Sequence, residues 1–341
     1  MGISKISFDN FTAFKKLDIH CSEGVNIFIG ENGTGKTHIL KAAYSACDIS
    51  KSGETFAKKL VKVFMPSGNQ LNRLVYRQKG SLKAGLEITR EDHKLQLSFS
   101  NRVRNPETTA VKGLEKWMAN PVESVYLPVK EMLVNAPGFR SLYNARELHF
   151  EEVYADLVDR AYLPPRRGAA ESNRKKLMKI LEKVIEGRVI TKDEEFFHSS
   201  KQGTLEFSLL AEGMRKLALL WVLIQNGTLL EDSILFWDEP EANLNPKVMK
   251  IAVEILLELQ RMGVQIFIAT HDYVILKEFD LQTKKKDRVL YHALSRTHET
   301  REIRIQSTDS YLLLDSNTIA DTFGNLYDRD MERALRKGEK H

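Results

Sequence analysis

The sequence predicts an α/β protein, because compact apolar runs of strand length are followed by polar or glycine-rich residues and then by helical patterns. Three such runs lie at 25–29, 233–237 and 264–269. The first leads through glycines into a helical stretch at 38–46, and a second helical stretch at 246–262 separates the other two. Apolar runs without alternation are typical of strands that are buried on both faces, as in a parallel sheet covered by helices.

The remaining segments predict a strand-rich beginning and a helical middle. Apolar and polar residues alternate over the first 20 residues, and strand-like runs recur between 74 and 99. Around 106–200, several prolines, a basic stretch and one short amphipathic segment indicate helices and loops. For 291–341 we expect a strand and a surface helix with Met331 and Leu335 facing inward.

The composition limits the class of protein. Of the 341 residues, 42% are hydrophobic and 28% charged, which supplies a core and argues against disorder. Cys21 and Cys47 are too few for a disulfide scaffold and fit a reducing cytoplasm, where we expect the protein to reside. The longest apolar run, at 217–224, falls far short of the roughly 20 residues of a membrane span, so we expect none. The net charge of +5 permits contact with nucleic acid without arguing for it.

The strongest motif is a glycine-rich loop between the first buried strand and its helix. Residues 30–37 read Gly-Glu-Asn-Gly-Thr-Gly-Lys-Thr and match the pattern G-x-x-x-x-G-K-[ST] in full. Backbone N–H groups of such a loop surround a phosphate, while Lys36 reaches the β- and γ-phosphates and Thr37 ligates Mg²⁺. An ordinary glycine turn is the alternative. The predicted nucleotide contacts in this region are Gly30, Asn32, Gly33, Thr34, Gly35, Lys36, Thr37 and His38.

Two further polar groups follow the other buried strands. Asp238 and Glu239 come directly after the run that ends at Trp237, and His271 follows the run that ends at Ala269. Asp238 at such a strand end can hold Mg²⁺, and Glu239 can polarise an attacking water. His271 can hydrogen-bond the γ-phosphate. The alternatives are a strand that enters a charged turn and a structural histidine.

In this order, the phosphate loop, the Asp-Glu pair and the histidine resemble the ABC-type ATPase heads of the SMC, RecF and overcoming-lysogenization-defect branch. The opening strands leading to Gly30 are similar to that branch, and 241–246, Glu-Ala-Asn-Leu-Asn-Pro, resembles its D-loop. The segments 125–128, 140–143 and 150–154 resemble small bacterial ATP-binding proteins grouped as AAA-21 or AAA-15. The resemblance implies an ATPase of P-loop fold that uses ATP and Mg²⁺, with Lys36, Glu239 and His271 as catalytic residues.

The resemblance also implies a signature motif, and the best match is loose. Residues 210–216 read Leu-Ala-Glu-Gly-Met-Arg-Lys, which departs from Leu-Ser-Gly-Gly-Gln. Glu212 and Gly213 would then present the helix N-terminus to a nucleotide held by a second copy. A plain helix start is the alternative. Gln70 and Gln78 both lie at suitable distances for the Q-loop, but neither is identified as its residue, and ordinary surface polarity is the favoured interpretation of each.

Because the phosphate loop and Asp238 must share one site, we expect a discontinuous head formed by 1–105 and 201–290. This head has a mixed β N-terminal lobe. A mainly helical insertion is expected at 106–200, and a C-terminal strand and helix extension at 291–341.

The resemblance implies an ATP-dependent switch that forms a homodimer or higher oligomer around ATP. Members of the group commonly work in phage defence, so we expect a regulatory ATPase with a separate effector, a nuclease or a toxin. The alternative is a RecF- or SMC-like ATPase that binds DNA for repair. A third alternative is that ATP only stabilises an assembly. The candidate DNA contacts are Arg166, Arg167, Arg174, Lys175 and Lys176.

Overall fold

The computed structural model describes residues 2–145, 149–167, 172–297, 299–314 and 318–338. The strands are β1 (Ile3–Phe11), β2 (Phe14–His20), β3 (Val25–Gly30), β4 (Lys83–Arg90), β5 (His93–Ser100), β6 (Val111–Lys112), β7 (Ser124–Leu127), β8 (Gly187–Lys192), β9 (Glu195–Ser200), β10 (Gly203–Glu206), β11 (Ile234–Asp238), β12 (Gln265–Thr270), β13 (Val289–Arg296) and β14 (Ile303–Thr308). The helices are α1 (Lys36–Ser52), α2 (Phe56–Phe64), α3 (Leu114–Met118), α4 (Phe139–Asn144), α5 (Glu152–Ala161), α6 (Ser172–Val184), α7 (Glu212–Gln225), α8 (Pro246–Arg261), α9 (Tyr273–Gln282) and α10 (Thr318–Gly338).

The central sheet has the strand order β14-β13-β3-β12-β11-β7. The five strands from β13 to β7 run parallel, and β14 pairs antiparallel at one edge. Every residue of β3, β11 and β12 is buried. These strands correspond to the three apolar runs, so the predicted α/β class is confirmed.

The N-terminal lobe is a five-stranded antiparallel sheet of order β2-β1-β4-β5-β6. Its inner face and the buried face of α1 share one apolar core. Phe8 belongs to that core, with its ring centroid 5.5 Å from Phe11 and 4.9 Å from Phe14. The alternating apolar positions of β1 therefore fix this sheet against the helix that begins at Lys36.

The segment 106–200 differs from the predicted insertion. Its strand β7 pairs in parallel with β11, with Ser124 opposite Ile234 and Leu127 opposite Trp237, so it belongs to the central sheet. Strands β8 and β9 of the same segment form a second, small sheet with β10. The predicted boundary at 106 is wrong at β7, because a four-residue strand is too short to carry a recognisable pattern. The boundary at 291 likewise falls inside β13, which pairs with β3.

A buried ionic cluster joins α1, α2 and α5. The Lys59 ammonium on α2 lies 2.7 Å from both Asp48 on α1 and Asp156 on α5, and 3.2 Å from Glu152. Arg160 on α5 reaches Asp48 at 2.6 Å. Burial would lower the pKa of Lys59, but the surrounding carboxylates outweigh it and raise that pKa well above its usual range. The cluster fixes α5 to the helix that carries the phosphate loop.

The C-terminal helix α10 contacts the body of the protein near its start. The Phe323 ring stacks on Tyr273 of α9, with centroids 4.5 Å apart. Met331 and Leu335 are 47% and 66% exposed, so the expectation that they face inward is wrong. An amphipathic pattern identifies an apolar face but not the surface it meets. Among the described residues, no helix combines the length and the apolar character that crossing a membrane requires.

Candidate nucleotide-binding site

The phosphate loop connects the end of β3 to the start of α1. Gly30 has φ 147° and Gly35 has φ 93°, both in the region that favours glycine. A Cβ atom at Gly30 would lie 2.3 Å from the Leu294 carbonyl oxygen, and one at Gly35 would lie 2.5 Å from the Phe14 ring. Backbone shape and close packing therefore both require these glycines, and the loop is held between β13 and the N-terminal lobe.

Lys36 folds back over this loop. Its ammonium donates to the carbonyl oxygens of Gly30 at 2.6 Å and Glu31 at 3.1 Å. Burial lowers the pKa of Lys36, although the acidic side chains of Glu239 and Asp238 oppose that effect. The ammonium thus lies at the mouth of the loop, where a phosphate bound by the loop amides would meet it.

Thr37 and Asp238 meet across the gap between α1 and β11. The Thr37 hydroxyl donates to Asp238 Oδ1 at 3.1 Å, and the Tyr126 hydroxyl donates to Oδ2 at 3.1 Å. Burial raises the pKa of Asp238 above its usual value, and these two hydrogen bonds offset only part of that rise. A hydroxyl and one carboxylate suit Mg²⁺, which takes few protein ligands beside phosphate and water oxygens. In the described ranges, no cluster of three or more His, Cys, Asp or Glu side chains offers an all-protein metal site.

Glu239 and His271 lie side by side at the carboxyl ends of β11 and β12. The Glu239 backbone N–H donates to the Ala269 carbonyl oxygen at 2.9 Å, which continues the β11–β12 ladder by one residue. Glu239 itself has φ 47°, and β11 ends just before it. The His271 Nδ1 atom is 3.5 Å from Glu239 Oε1. The His271 side chain is 47% exposed and the Glu239 side chain 30% exposed, so both are accessible to solvent. The two residues predicted to act on water and on the γ-phosphate are therefore neighbours.

Glu241 is the buried acid beside this pair. Its Oε1 atom accepts hydrogen bonds from the Thr270 hydroxyl at 2.7 Å and from the His271 N–H at 3.1 Å. Burial raises the pKa of Glu241, and the hydrogen bonds oppose that rise. Within the part of the chain that the structure describes, its Oε2 atom has no hydrogen-bond partner. Sequence reasoning placed Glu241 only as the first residue of a D-loop-like segment.

The candidate signature residues begin α7 and pack against that segment. A Cβ atom at Gly213 would lie 2.5 Å from the Asn243 carbonyl oxygen, so only glycine fits there without a shift. Three residues further along α7, the Lys216 ammonium donates to the Ala242 carbonyl oxygen at 2.7 Å. Glu212 is the first residue of the helix. The contact of Glu212 and Gly213 with a nucleotide stays a prediction.

Three predicted nucleotide contacts occupy different places around the loop. Asn32 is exposed, whereas the buried Thr34 hydroxyl donates to the Glu31 carbonyl oxygen at 2.8 Å and braces the turn. The His38 ring packs 5.5 Å from the Phe64 ring, and burial lowers the pKa of His38 to about 4. Direct nucleotide contacts by Asn32, Thr34 and His38 remain predictions.

Sequence reasoning missed two residues that touch the site. Tyr126 lies on β7, and Arg296 at the end of β13 donates to the Gly33 carbonyl oxygen at 2.7 Å. The run that contains Tyr126 carries no local signal that this strand pairs with β11. The Q-loop candidates Gln70 and Gln78 lie between α2 and β4, and Gln78 is exposed.

Of the five candidate DNA contacts, four are exposed and one is buried. Arg166, Arg167, Lys175 and Lys176 are exposed. Arg174 is buried and donates to the carbonyl oxygens of Ile224, at 3.1 Å, and Gln225 at the end of α7. Helix C-termini leave such carbonyls unpaired, so a buried arginine stabilises this end. The prediction that Arg174 contacts DNA is therefore wrong.

The parallel sheet, the glycine loop and the acids at the strand ends define an ABC-type ATPase head of the SMC and RecF kind. An SMC head bound to the C-terminal winged-helix domain of ScpA has a TM-score of 0.57 at 15% identity, covering 90% of this chain and 97% of the other. An SMC head with an extended coiled coil bound to ScpA, derived from Pyrococcus furiosus, has a TM-score of 0.55 at 14% identity, covering 90% and 96%. At such low identity the likeness shows the fold alone.

The chain belongs to the AAA_21 family, described as "AAA domain, putative AbiEii toxin, Type IV TA system", which matches residues 25–277. Relatives include the DNA replication and repair protein RecF of Streptococcus suis, 27% identical over 109 residues, with 30% of each chain covered. RecF of Clostridium beijerinckii is 31% identical over 94 residues, covering 28% of this chain and 25% of that protein. The chain thus matches less than a third of the length of these relatives.

Proposed function

We propose that the protein binds ATP with Mg²⁺ and hydrolyses it, and that two copies close around the nucleotide. The observation that carries the proposal is the placement of Lys36, Thr37, Asp238, Glu239 and His271 at one edge of the central sheet. That edge, at the carboxyl ends of parallel strands, is where such folds bind ligands. The N-terminus of α7, with Gly213, would serve the nucleotide of the second copy.

The chemistry follows from these placements. Lys36 and the loop amides would hold the β- and γ-phosphates, and Thr37 and Asp238 would hold Mg²⁺, which neutralises charge that develops on the phosphate oxygens. Glu239 would take the proton from water as the water oxygen bonds to the γ-phosphorus. The bond from that phosphorus to the β–γ bridging oxygen breaks, leaving ADP and phosphate. His271, beside Glu239, would donate a hydrogen bond to a γ-phosphate oxygen.

Two substitutions test this proposal. Lys36→Ala should abolish binding of a fluorescent ATP analogue, whereas Lys58→Ala, at an exposed lysine, should bind like wild type. Glu239→Gln should stop phosphate release yet retain ATP and shift the chain to a dimer in size-exclusion chromatography with ATP. Glu254→Gln, at an exposed carboxylate of α8, is the matched control. Undiminished turnover in Glu239→Gln would remove Glu239 as the base, and an assembly with no steady-state hydrolysis would favour the purely structural use of ATP.

We further propose that the switch regulates a separate effector, a nuclease or toxin, in a two-component antiphage system. The family description, with its reference to a toxin and a Type IV TA system, supports this pathway. Co-expression with the product of the neighbouring reading frame should give a complex whose effector activity depends on Lys36. An effector that acts equally with Lys36→Ala would contradict the regulatory role.

The second candidate is a DNA-binding ATPase of RecF type. The similarity to RecF proteins and the exposed side chains Arg166, Arg167, Lys175 and Lys176 favour it. Duplex DNA should then stimulate hydrolysis, the stimulation should fall with added salt, and neutralising these four side chains should remove it. No stimulation by DNA at low salt would exclude this candidate in favour of the effector-linked switch.

A further inference from the structure

We propose that Glu241 is the positioning residue of this site, and that it holds the Thr270–His271 turn so that the imidazole stays beside Glu239. The proposal rests on the proposed ATPase function. One Glu241 oxygen takes both hydrogen bonds, from the Thr270 hydroxyl at 2.7 Å and from the His271 N–H at 3.1 Å. The same oxygen lies 3.6 Å from His271 Nδ1. Glu241 therefore contacts the side chain before the histidine, the histidine backbone and the imidazole edge.

The segment that carries Glu241 is itself fixed from the opposite side. Lys216 of α7 donates to the carbonyl oxygen of Ala242, the next residue, and Gly213 packs against the Asn243 carbonyl oxygen. Glu241 thus lies between the start of α7 and the end of β12. In the dimer proposed above, the start of α7 would face the nucleotide of one site while His271 would serve the other. Through Glu241, a shift of α7 would move His271.

Stability alone does not account for this carboxylate. The Glu241 side chain is 6% exposed, and in the described part of the chain its Oε2 atom has no hydrogen-bond partner. Burying a carboxylate oxygen without a partner costs free energy, and such groups in native proteins call for an explanation. A glutamine would supply the same acceptor for Thr270 and His271 with less desolvation. A carboxylate in place of an amide beside the imidazole therefore fits a functional role.

The contact can be measured without hydrolysis, by hydrogen–deuterium exchange at the His271 amide. Glu241→Ala removes the acceptor, so this amide should exchange faster than in wild type. Glu241→Gln keeps an acceptor oxygen and should leave its exchange near the wild-type rate. Glu254→Ala, at an exposed carboxylate, is the control. If Glu241→Ala does not fold, Thr270→Val takes its place, since it removes the hydroxyl partner from the same contact. Unchanged exchange at His271 in Glu241→Ala, or in Thr270→Val where that variant replaces it, overturns the proposal.

Kinetics then separate positioning from simple folding support. Glu241→Ala should lower kcat by about tenfold or more with KM for ATP unchanged, since misplacement by about 1 Å can cost roughly 100-fold. Glu241→Gln should recover only part of that kcat, because it keeps the acceptor for the Thr270–His271 turn but loses the negative charge 3.6 Å from the imidazole. Adding Glu241→Ala to His271→Ala should cost little more, because both act through one group.

The outcomes distinguish this inference from the proposed function. Wild-type protein without Lys36-dependent hydrolysis would overturn the proposed function. Two results would overturn only the role of Glu241. The first is a kcat in Glu241→Ala equal to that of wild type. The second is a Glu241→Ala/His271→Ala double variant whose loss of kcat is the product of the two single losses.

Discussion

Replacing Lys59 with methionine should destabilise the protein strongly, because it removes the positive charge at the centre of the buried ionic cluster. Asp48, Asp156 and Glu152, all within 3.2 Å of its ammonium, would lose a charged partner. Removing one partner from a buried ion pair costs about 3–5 kcal/mol, because the other charge stays buried. The methionine keeps most of the length and volume of the side chain, so the loss reports mainly the missing charge rather than a cavity.

The expected shift in melting temperature follows from the length of the chain. An unfolding entropy of about 2.1 cal/mol/K per residue gives about 0.7 kcal/mol/K for 341 residues. A loss of about 3–5 kcal/mol then lowers the midpoint by about 4–7 °C. Thermal unfolding followed by circular dichroism at neutral pH measures this shift. Lys58→Met, at the half-exposed neighbour, should change the midpoint by less than about 1 °C.

The difference in melting temperature between wild type and Lys59→Met should become smaller at acidic pH. Although burial opposes it, contact with Lys59 and Arg160 lowers the pKa of Asp48 in the folded state. Asp48 therefore stabilises the fold above its unfolded pKa of about 3.9, and this contribution is lost as the pH falls through its folded value. The difference in midpoint between wild type and Lys59→Met should narrow as the pH falls below about 4, because this contribution of Asp48 is then progressively lost. A midpoint for Lys59→Met equal to that of Lys58→Met at neutral pH would refute the reasoning.

Two further substitutions test the surroundings of the site. Tyr126→Phe removes the hydroxyl that donates to Asp238, so the Mg²⁺ concentration for half-maximal hydrolysis should rise about tenfold. The control Tyr291→Phe, on β13, should leave that concentration unchanged. An unchanged Mg²⁺ dependence in Tyr126→Phe would show that the hydroxyl does not orient the carboxylate. Asn245→Ala removes the side chain that caps α8 by accepting from the Lys247 N–H, so the free energy of unfolding should fall by about 1 kcal/mol. Asn245→Asp keeps an acceptor oxygen and should retain the wild-type stability. Equal thermal midpoints for the two Asn245 variants would contradict the capping role.

The core of the fold and the candidate site could be predicted because both produce local signals. Strands β3, β11 and β12 are buried on both faces and therefore appear as unbroken apolar runs. The glycine loop needs fixed residues at fixed spacing, and the acids and the histidine follow strand ends directly. Parallel strands bring those ends to one edge, so the proximity of Glu239 and His271 followed from the topology.

The remaining features depend on contacts between residues that are distant in the chain. Tyr126 meets Asp238 across 112 positions, on a strand of four residues. Glu241 binds Thr270 across 29 positions. Arg174 lies in a basic stretch that is typical of solvated surface, yet its buried guanidinium donates a hydrogen bond to a backbone carbonyl at the end of α7. No local pattern records where a side chain finds its partner, so these roles became visible only in three dimensions.

The place of β7 at the edge of the central sheet has a consequence for any shortened form of the protein. A version trimmed of 106–200 would lose β7 and leave the apolar strand β11 with a row of open backbone hydrogen-bonding groups. Open apolar edges recruit strands from other chains, so such a version would aggregate rather than yield a minimal head. The segment 106–200 thus covers the open side of β11 and also links the two parts of the head.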